Sequence, residues 1–516
     1  MARPKFTNEP YLDFSQNKNV NRLKRALAEI EKNFGKEYPL IINGEKIFTE
    51  SKFPSINPSF KDQVIGYFSK ANKELAEKAI FAATEAFEKW KRVPAEKRAK
   101  VLFRAADIIR RRRFEINAWM ISEVGKNWIE ADADTAEAID FLEFYGREML
   151  RYAQKQPLTK VKGEKNELVY LPLGVGVVIP PWNFPFAILV GMTSASIVTG
   201  NTVVLKPSSD SPMMGYLFAE IMEQAGLPKG VLNYVPGSGS EVGDTLVAHP
   251  KTRFIAFTGS KDVGLHINEL AAKHQPGQIW IKRVIAEMGG KDAIIVDSEA
   301  DLKAAVEGVV VSAYGFQGQK CSACSRAIVD EKVYDKFVEM LKERVEQIKV
   351  GPAKENYPMG PVINERAQLS ILSYIEIGKN EGKLLTGGNK IENNGFYIEP
   401  TVFIDVDPKA RIAQEEIFGP VLAVIKAKDF DHALEIANDT EYGLTGSVYT
   451  KNKKKIQKAK EEFFVGNLYF NRKCTGALVG GHPFGGFNMS GTDSKAGGRD
   501  YLLLFLQAKA MSEKIA

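Results

Sequence analysis

The stretch G-V-G-V-V-I-P-P-W-N, residues 174–183, indicates the fold of this chain. Its β-branched run Val175-Ile179 predicts a buried strand, and the turn residues after it lead into a helical pattern. The same succession recurs at three later runs, which are Thr202-Leu205, Gly230-Tyr234 and Phe254-Phe257. Strands that alternate with helices in this way predict a parallel, doubly wound α/β sheet.

A second alternating set begins further along the chain. Its predicted strands are Asp292-Val296, Ala327-Val329, Thr401-Ile404 and Leu422-Ile425. The chain of 516 residues is too long for one hydrophobic core. We therefore predict two doubly wound α/β domains with a boundary near Glu287.

The remaining segments predict how these domains are framed. A polar segment with Val20, Leu23, Leu27 and Ile30 on one face predicts a helical arm over residues 1–37. Asn43-Gly44 is typical of a hairpin, and several long helices are predicted over residues 73–152. Charged, alternating residues after Pro157 and the last twenty or so residues are expected to pair with another subunit. The predicted organisation is an arm at 1–37, a first domain at 38–156 and 171–286, a second at 287–492, and oligomerisation segments at 157–170 and 493–516.

Composition argues against several classes of protein. The 70 Lys and Arg against 64 Asp and Glu give a net charge of +6, which is too weak a field for a nucleic-acid-binding surface. Three irregularly spaced cysteines and a start without an apolar run favour a reducing, cytoplasmic setting. Residues 168–205 carry no charge, but Pro180-Pro181 and Pro185 interrupt them, so we expect no membrane span. The expected partners are small molecules.

Cys321 and Glu287 are the candidate catalytic pair. The sequence Gly318-Gln319-Lys320-Cys321 frames the thiol with small and polar residues, as in a loop that presents a side chain. Glu287 lies 34 positions upstream. A thiolate can attack a carbonyl carbon, and the thioester that results needs a carboxylate to activate water. A buried structural cysteine and a solvated glutamate are the alternative interpretation.

Three strand-to-helix turns could bind phosphate. Residues 236–243 follow a predicted strand with the spacing G-x-G-x-x-x-G, one residue longer than the usual dinucleotide fingerprint. Residues 257–264 form a second such turn, and Lys206 follows the Thr202-Leu205 run, where its ammonium could reach a ribose or a phosphate. The turn at residues 236–243 alone could be an ordinary glycine-rich loop.

Seven motifs, taken in order, resemble the aldehyde dehydrogenase superfamily over essentially the full chain. They are Pro181-Trp182-Asn183-Phe184-Pro185, Lys206-Pro207-Ser208, Phe257-Thr258-Gly259-Ser260, Glu287-Met288-Gly289-Gly290-Lys291, Gly318-Gln319-Lys320-Cys321, Gln414-Glu415-Glu416-Ile417-Phe418-Gly419-Pro420 and Pro483-Phe484-Gly485-Gly486. The resemblance implies the aldehyde dehydrogenase fold, with a Rossmann-like NAD-binding domain, a catalytic domain and a small β oligomerisation flap. It also implies a homodimer or a higher oligomer.

The resemblance implies oxidation of an aldehyde with NAD. Cys321 would form the thiohemiacetal and then the thioester, Asn183 and the Cys321 amide would stabilise the oxyanion, and Glu287 would activate water. Glu416 would bind the nicotinamide ribose, Phe418 would pack beside the nicotinamide, and Lys206 would contact the adenine ribose. The other residues that it implies for the cofactor are Ile179, Pro180, Trp182, Ser209, Gly239, Gly243, Phe257, Gly259 and Ser260. No metal site is expected.

Within the superfamily, the chain looks most similar to the group that oxidises L-glutamate-γ-semialdehyde. Residues 312–323, residues 471–477 and Val124-Gly125-Lys126-Asn127 carry this similarity. It implies a substrate site in which Gly476, Ala477 and Ser322 hold the α-carboxylate. Phe184 and Phe484 would clamp the aliphatic chain, although both could equally be plain core aromatics. Glu137 would line the aldehyde pocket, and Lys320 is also implied to bind the substrate.

Several alternatives remain open from sequence. Ser209 stands where many relatives carry a glutamate, so NAD is favoured but NADP is possible. Cys324 could be a packing residue or could trap Cys321 as a disulfide. Another semialdehyde, such as succinate semialdehyde, could be the substrate. Glu287 disfavours a coenzyme-A-acylating enzyme, and the complete set of catalytic residues disfavours an inactive scaffold. Histidines without ligand spacing disfavour a thiol-redox or metal-binding protein.

Overall fold

The structure is a computed structural model that describes residues 4–515. Residues 1–3 of the predicted arm and residue 516 of the predicted C-terminal segment lie outside this range. The helices are α1 (Asn17–Glu31), α2 (Lys73–Trp90), α3 (Ala95–Val124), α4 (Trp128–Tyr152), α5 (Ala187–Val198), α6 (Pro212–Gln224), α7 (Asp244–Ala248), α8 (Lys261–Ala272), α9 (Leu302–Tyr314), α10 (Tyr334–Glu346), α11 (Glu365–Glu381), α12 (Arg411–Gln414), α13 (Phe430–Asn438) and α14 (Lys453–Glu462).

The strands alternate with these helices over most of the chain. They are β1 (Lys36–Tyr38), β2 (Leu40–Ile42), β3 (Glu45–Ile47), β4 (Lys52–Ile56), β5 (Val64–Ser69), β6 (Glu164–Pro172), β7 (Val175–Ile179), β8 (Thr202–Leu205), β9 (Leu232–Tyr234), β10 (Thr252–Thr258), β11 (Arg283–Glu287), β12 (Asp292–Val296), β13 (Cys324–Asp330), β14 (Lys383–Thr386), β15 (Lys390–Ile391), β16 (Tyr397–Ile398), β17 (Thr401–Ile404), β18 (Val421–Ala427), β19 (Tyr442–Gly443), β20 (Thr445–Tyr449), β21 (Asn467–Phe470), β22 (Phe487–Asn488) and β23 (Leu506–Lys514).

The first large sheet has seven strands in the order β11-β10-β7-β8-β9-β2-β3. The pairs from β11 to β9 are all parallel, and the β2–β3 hairpin closes one edge through antiparallel pairing. All four residues of β8 are buried, as expected for a strand covered on both faces. The predicted doubly wound sheet and the predicted Asn43-Gly44 hairpin are both confirmed.

The second large sheet also has seven strands, in the order β14-β17-β18-β13-β12-β20-β21. Only its edge strand β14 pairs antiparallel. Glu287 ends β11 in the first sheet and Asp292 begins β12 in the second, so the chain crosses between the sheets over residues 288–291. The prediction of two doubly wound α/β units is confirmed, whereas the exact domain limits stay a prediction.

The two predicted oligomerisation segments pair with each other. Strand β6 lies antiparallel to β23, from Leu506 opposite Pro172 to Lys514 opposite Glu164. Residues 493–505 of the second segment behave differently, because Tyr501, Leu502 and Phe505 pack into the core of the same chain. The predicted flap is therefore a two-stranded ribbon formed by β6 and β23.

The N-terminal arm is anchored by a short apolar stripe. Leu23, Leu27 and Ile30 of α1 are buried in the main core cluster, as their helical spacing predicted. Helix α1 packs on α3, and the backbone before it is fixed by the carboxylates of Asp132 and Asp140. The arm thus supports the helical layer behind the first sheet.

Candidate active site

The carboxyl ends of four neighbouring parallel strands gather the predicted cofactor residues. Such an edge is where α/β sheets bind their ligands. Strand β7 ends at Ile179, β8 at Leu205, β9 at Tyr234 and β10 at Thr258. The predicted residues at or just after these ends are Ile179, Pro180, Trp182, Asn183, Lys206, Gly239, Gly243, Phe257, Gly259 and Ser260.

Lys206 meets the glycine-rich turn at this edge. Its side chain is buried, its ammonium donates to the Pro207 carbonyl oxygen at 3.3 Å, and burial lowers its pKa to about 8. A Cβ atom added to Gly243 would lie 3.6 Å from the Lys206 Cε, and one added to Gly239 would have no heavy atom within 4 Å. The turn therefore leaves open space beside an ammonium that makes no ion pair within residues 4–515. This arrangement fits a nucleotide.

Glu416 and Phe418 approach from the second sheet. The Gly290 amide donates to the Glu416 carboxylate at 2.9 Å, and burial raises the pKa of Glu416 to about 7. The rings of Phe418 and Trp182 meet edge to face, with centroids 5.5 Å apart. Residues predicted to bind the nicotinamide end are therefore brought together from both sheets.

Ser209 stands apart from this group. It is exposed in the loop after β8, and its side chain makes no hydrogen bond to the other predicted cofactor residues in the structure that covers residues 4–515. Ser209 therefore places no negative charge at this edge of the sheet.

The loop that carries Cys321 has an unusual backbone. Phe316 and Gln317 adopt positive φ angles of 50° and 58° in the 3₁₀ turn Gly315–Gly318. Side chains hold the turn in place, since the Gln317 amide donates to the Pro361 carbonyl at 2.7 Å. The Asn183 amide donates to the Gln319 carbonyl at 3.1 Å, two residues before the thiol. The predicted oxyanion donor therefore makes a direct hydrogen bond to the loop that carries the predicted nucleophile.

The three cysteines differ in access. Cys321 is partly exposed, whereas Cys324 and Cys474 are buried, and all three are free thiols. The Cys324 thiol donates to the Arg326 carbonyl at 3.4 Å in the core of the second sheet. This placement suits the packing interpretation of Cys324.

Three carboxyl groups lie near the Cys321 thiol. Burial raises its pKa well above the usual range, and the carboxyl groups of Asp292, Glu416 and Glu287 raise it further. A thiol in such surroundings stays neutral until a base or a nearby cation favours the thiolate. Its reactivity therefore depends on the charge state of these carboxyl groups.

Glu287 lies in a narrow cradle at the end of β11. It pairs in register with Thr258, and its carboxylate accepts a hydrogen bond from the Ser494 hydroxyl. Its other oxygen is buried and has no hydrogen-bond partner among residues 4–515. Burial raises the pKa of Glu287 to about 8, which is suitable for a general base near neutral pH.

Carboxyl groups, ammonium groups and an aromatic ring surround the predicted aldehyde pocket. Burial raises the pKa of Glu137 to about 8. Lys320 donates to both oxygens of Glu130, at 2.7 Å and 2.8 Å. The Lys126 ammonium lies 4.0 Å from the centre of the Phe184 ring.

The predicted carboxylate anchor is a loop close to a lysine. Gly476 has a φ of 78°, a conformation that L side chains rarely adopt, and a Cβ there would lie 3.5 Å from the Lys473 ammonium. Ala477 follows it, half-exposed. Ser322 is buried, and its carbonyl accepts from the Cys474 thiol at 3.3 Å. Phe484 exchanges two backbone hydrogen bonds with Ala496, which aligns it beside the Glu287 cradle.

Two contacts escaped sequence reasoning. Lys126 and Asp134 form an ion pair at 2.6 Å with fully buried side chains, and Asp134 also accepts from the Ala187 amide at the start of α5. Ser494 lies far along the chain from Glu287 and belongs to no motif that was recognised. Only the Val124–Asn127 similarity pointed to Lys126, and no sequence signal pointed to Ser494.

Metal binding and membrane crossing find no support in residues 4–515. No group of three or more His, Cys, Asp or Glu residues in this range could hold a metal ion. None of the helices described is both long and apolar enough to cross a membrane.

The chain belongs to the aldehyde dehydrogenase family, whose model matches residues 47–511. It is 61% identical over 514 residues to 1-pyrroline-5-carboxylate dehydrogenase of Geobacillus thermodenitrificans, covering 99% of this chain and 100% of the relative. It is 58% identical over 509 residues to 1-pyrroline-5-carboxylate dehydrogenase 2 of Bacillus subtilis, covering 98% and 99% of the two chains. The solved structure of 1-pyrroline-5-carboxylate dehydrogenase from Thermus with bound NAD matches with a TM-score of 0.98 and 53% identity, covering 100% of both chains. The resemblance inferred from the motifs is therefore confirmed.

Proposed function

We propose that this protein oxidises L-glutamate-γ-semialdehyde, the open form of 1-pyrroline-5-carboxylate, to L-glutamate with NAD. The observation that carries the proposal is the meeting of a partly exposed thiol, an amide donor and a buried carboxylate at one site. Full-length similarity to enzymes named for this substrate supports it. Such an activity belongs to proline and arginine catabolism.

The reaction begins at Cys321. Its thiolate forms a bond to the aldehyde carbon, and the carbonyl oxygen becomes an oxyanion. The Asn183 side-chain amide and the Cys321 backbone amide stabilise this charge, and one such donor contributes roughly 3 to 4 kcal/mol to the transition state. Asn183 has two N–H groups, and only one is needed for the Gln319 carbonyl.

NAD, when bound, supplies the acceptor for the hydride that leaves the thiohemiacetal carbon. The residues that would hold it are Lys206 and the glycine turn at the adenine end, with Glu416 and Phe418 at the nicotinamide end. A buried ammonium beside open backbone suits its phosphates and ribose. NADP is also possible, because Ser209 brings no negative charge against a 2′-phosphate.

Glu287 completes the reaction by hydrolysis. Its carboxylate takes a proton from water, the water oxygen bonds to the thioester carbon, and the carbon–sulfur bond breaks. Glutamate leaves, and the thiolate of Cys321 is restored. The Glu287 pKa of about 8 means that the carboxylate form grows as the pH rises from 7 to 9.

The charged amino-acid end of the substrate selects its orientation. Its α-carboxylate meets the backbone amides of Gly476 and Ala477 and the hydroxyl of Ser322. Phe184 and Phe484 clamp the chain between the two ends, and Glu137 lines the aldehyde pocket beside Lys320. The Lys473 ammonium near Gly476 adds positive charge at the carboxylate end.

We also propose a cytoplasmic homodimer or higher homo-oligomer. Three free thiols suit a reducing compartment. The β6–β23 ribbon supports an oligomer, since its Leu171 side chain is exposed and both strands offer open edges to a second copy.

Two variants test the catalytic roles. Cys321→Ala should abolish turnover while NAD binding, followed by quenching of tryptophan fluorescence, persists. Glu287→Ala should give one burst of reduced nicotinamide for each site and then stall. Retained turnover in the first variant, or a steady rate near wild type in the second, would overturn the assignment.

A further inference from the structure

We propose that Ser494 is a positioning residue for Glu287: its hydroxyl holds one carboxylate oxygen and leaves the other to take the proton from water. The inference rests on the proposed function, because it takes Glu287 as the base that hydrolyses the thioester. Ser494 itself touches no reacting atom.

The geometry around the carboxylate supports this role. Ser494 is 3% exposed, and its hydroxyl donates to Glu287 Oε1. The Oε2 atom has no hydrogen-bond partner among the described residues, although it is buried. A Cβ on Gly485 would lie 2.9 Å from Oε1, and one on Gly491 would lie 3.3 Å from Oε2. The cradle therefore admits the carboxylate only because small residues surround it.

The surroundings of the carboxylate include one backbone amide, that of Gly486, which also lowers the Glu287 pKa by hydrogen bonding, and several titratable side chains. The titratable groups that face it are Lys495, Asp493, Cys321, Tyr145 and Tyr501. The Lys495 ammonium donates to the Gly466 carbonyl at 2.7 Å and also to the Gly485 carbonyl, so it joins two loops. The Tyr145 hydroxyl accepts from the Gly497 amide at 2.8 Å. Ser494 is the side chain that bonds the carboxylate directly.

The hydrogen bond has a defined effect on titration. A donor to a carboxylate stabilises its charged form and lowers its pKa, so loss of the Ser494 hydroxyl raises the Glu287 pKa above its value of about 8. The hydrolytic step needs the charged form. In Ser494→Ala, the rise of the steady rate with pH should therefore move upward by about one pH unit, which lowers kcat about tenfold at pH 7.

The experiment compares variants of the full-length protein by burst kinetics from pH 6 to pH 10. The burst of reduced nicotinamide should keep its amplitude in Ser494→Ala, while the steady phase shows the shifted profile. Ser494→Thr keeps a hydroxyl and should restore the wild-type midpoint. Thr492→Val is the matched control, because the Thr492 hydroxyl bonds the Ala286 backbone at 3.0 Å and not the carboxylate. Its profile should not move.

An unchanged midpoint in Ser494→Ala would overturn the inference, as would an equal shift in Thr492→Val. If Ser494→Ala fails to fold, the midpoint of Ser494→Thr decides, since a midpoint away from that of wild type would contradict the role of the hydroxyl. Failure of the proposed function looks different. Steady turnover in Glu287→Ala would remove the base itself, whereas a stalled Glu287→Ala with a normal Ser494→Ala profile would remove only the role of Ser494.

Discussion

The side-chain amide nitrogen of Asn183 lies 3.1 Å from the carbonyl oxygen of Gln319. This bond joins the turn after β7 in the first sheet to the loop that carries Cys321 ahead of β13 in the second. A direct hydrogen bond therefore links the oxyanion donor to the loop of the nucleophile, although 138 positions separate Asn183 and Cys321 in sequence. Preorganised donors of this kind supply a large share of catalysis in acyl transfer.

Asn183→Ala should slow the formation of reduced nicotinamide about 100-fold to 1,000-fold, because one oxyanion donor is lost. The measurement is the rate of the burst phase by stopped flow. The far-ultraviolet circular dichroism spectrum and NAD affinity should match those of wild type. A burst rate within threefold of wild type would contradict the role of Asn183.

Lys126→Met should lower the free energy of unfolding by about 3–5 kcal/mol, because it leaves the Asp134 carboxylate buried without its partner. Urea denaturation measures this loss. Lys379→Met is the control, since its ion pair with Glu376 at 2.7 Å is exposed and should contribute less than about 1 kcal/mol. Equal losses in both variants would show that the buried Lys126–Asp134 pair contributes no more to stability than an exposed pair.

Gly476→Ala should raise KM for glutamate semialdehyde about tenfold with little change for a short, uncharged aldehyde. The backbone at Gly476 has a φ of 78°, so a Cβ strains the loop whose amides hold the α-carboxylate. Gly277→Ala carries the same kind of strain at a φ of 81°, with no atom within 4 Å of the added Cβ. If both variants changed KM alike, the effect would be one of general stability.

Iodoacetamide should modify Cys321 alone in the folded protein, and the rate should rise with pH. The pKa of this thiol is raised, so the thiol is neutral at pH 7 and the reactive thiolate increases as the pH climbs. Mass spectrometry of peptides locates the label. Early modification of Cys324 or Cys474 would contradict their burial.

Ser209→Glu should lower the use of NADP at least tenfold relative to NAD. A carboxylate at this exposed position would accept the ribose hydroxyls of NAD and repel a 2′-phosphate. The ratio of kcat/KM for the two cofactors gives the effect. An unchanged ratio would place the adenine ribose away from Ser209.

Much of the fold followed from local patterns, and much of the site from motifs. The buried runs at Val175-Ile179 and Asp292-Val296 predicted strands because period and β-branching act locally. Cys321 stood out because small and polar residues frame it, and Glu287 because a thioester mechanism needs a carboxylate. The Ser494 contact could not be predicted, since a lone serine carries no signal for a partner 207 positions away. The raised Cys321 pKa likewise depends on burial and on carboxyl groups that only the fold brings together.

The buried Lys126–Asp134 pair shows a second limit. No sequence pattern indicated that the Lys126 side chain is buried, yet its ammonium lies 4.0 Å from the centre of the Phe184 ring and 4.9 Å from that of Phe316. Tertiary packing makes this burial possible, because Asp134 on α4 compensates the charge. Whether a charged side chain is buried depends on the residues that pack around it in the fold, and these are not its neighbours in sequence.

The most direct test of the account is the rate of NAD reduction, followed by absorbance, with pyrroline-5-carboxylate or with succinate semialdehyde. The account predicts a kcat/KM at least tenfold higher for pyrroline-5-carboxylate, whose open form presents an α-carboxylate to Gly476 and Ala477. An equal or higher kcat/KM for succinate semialdehyde would contradict the substrate assignment.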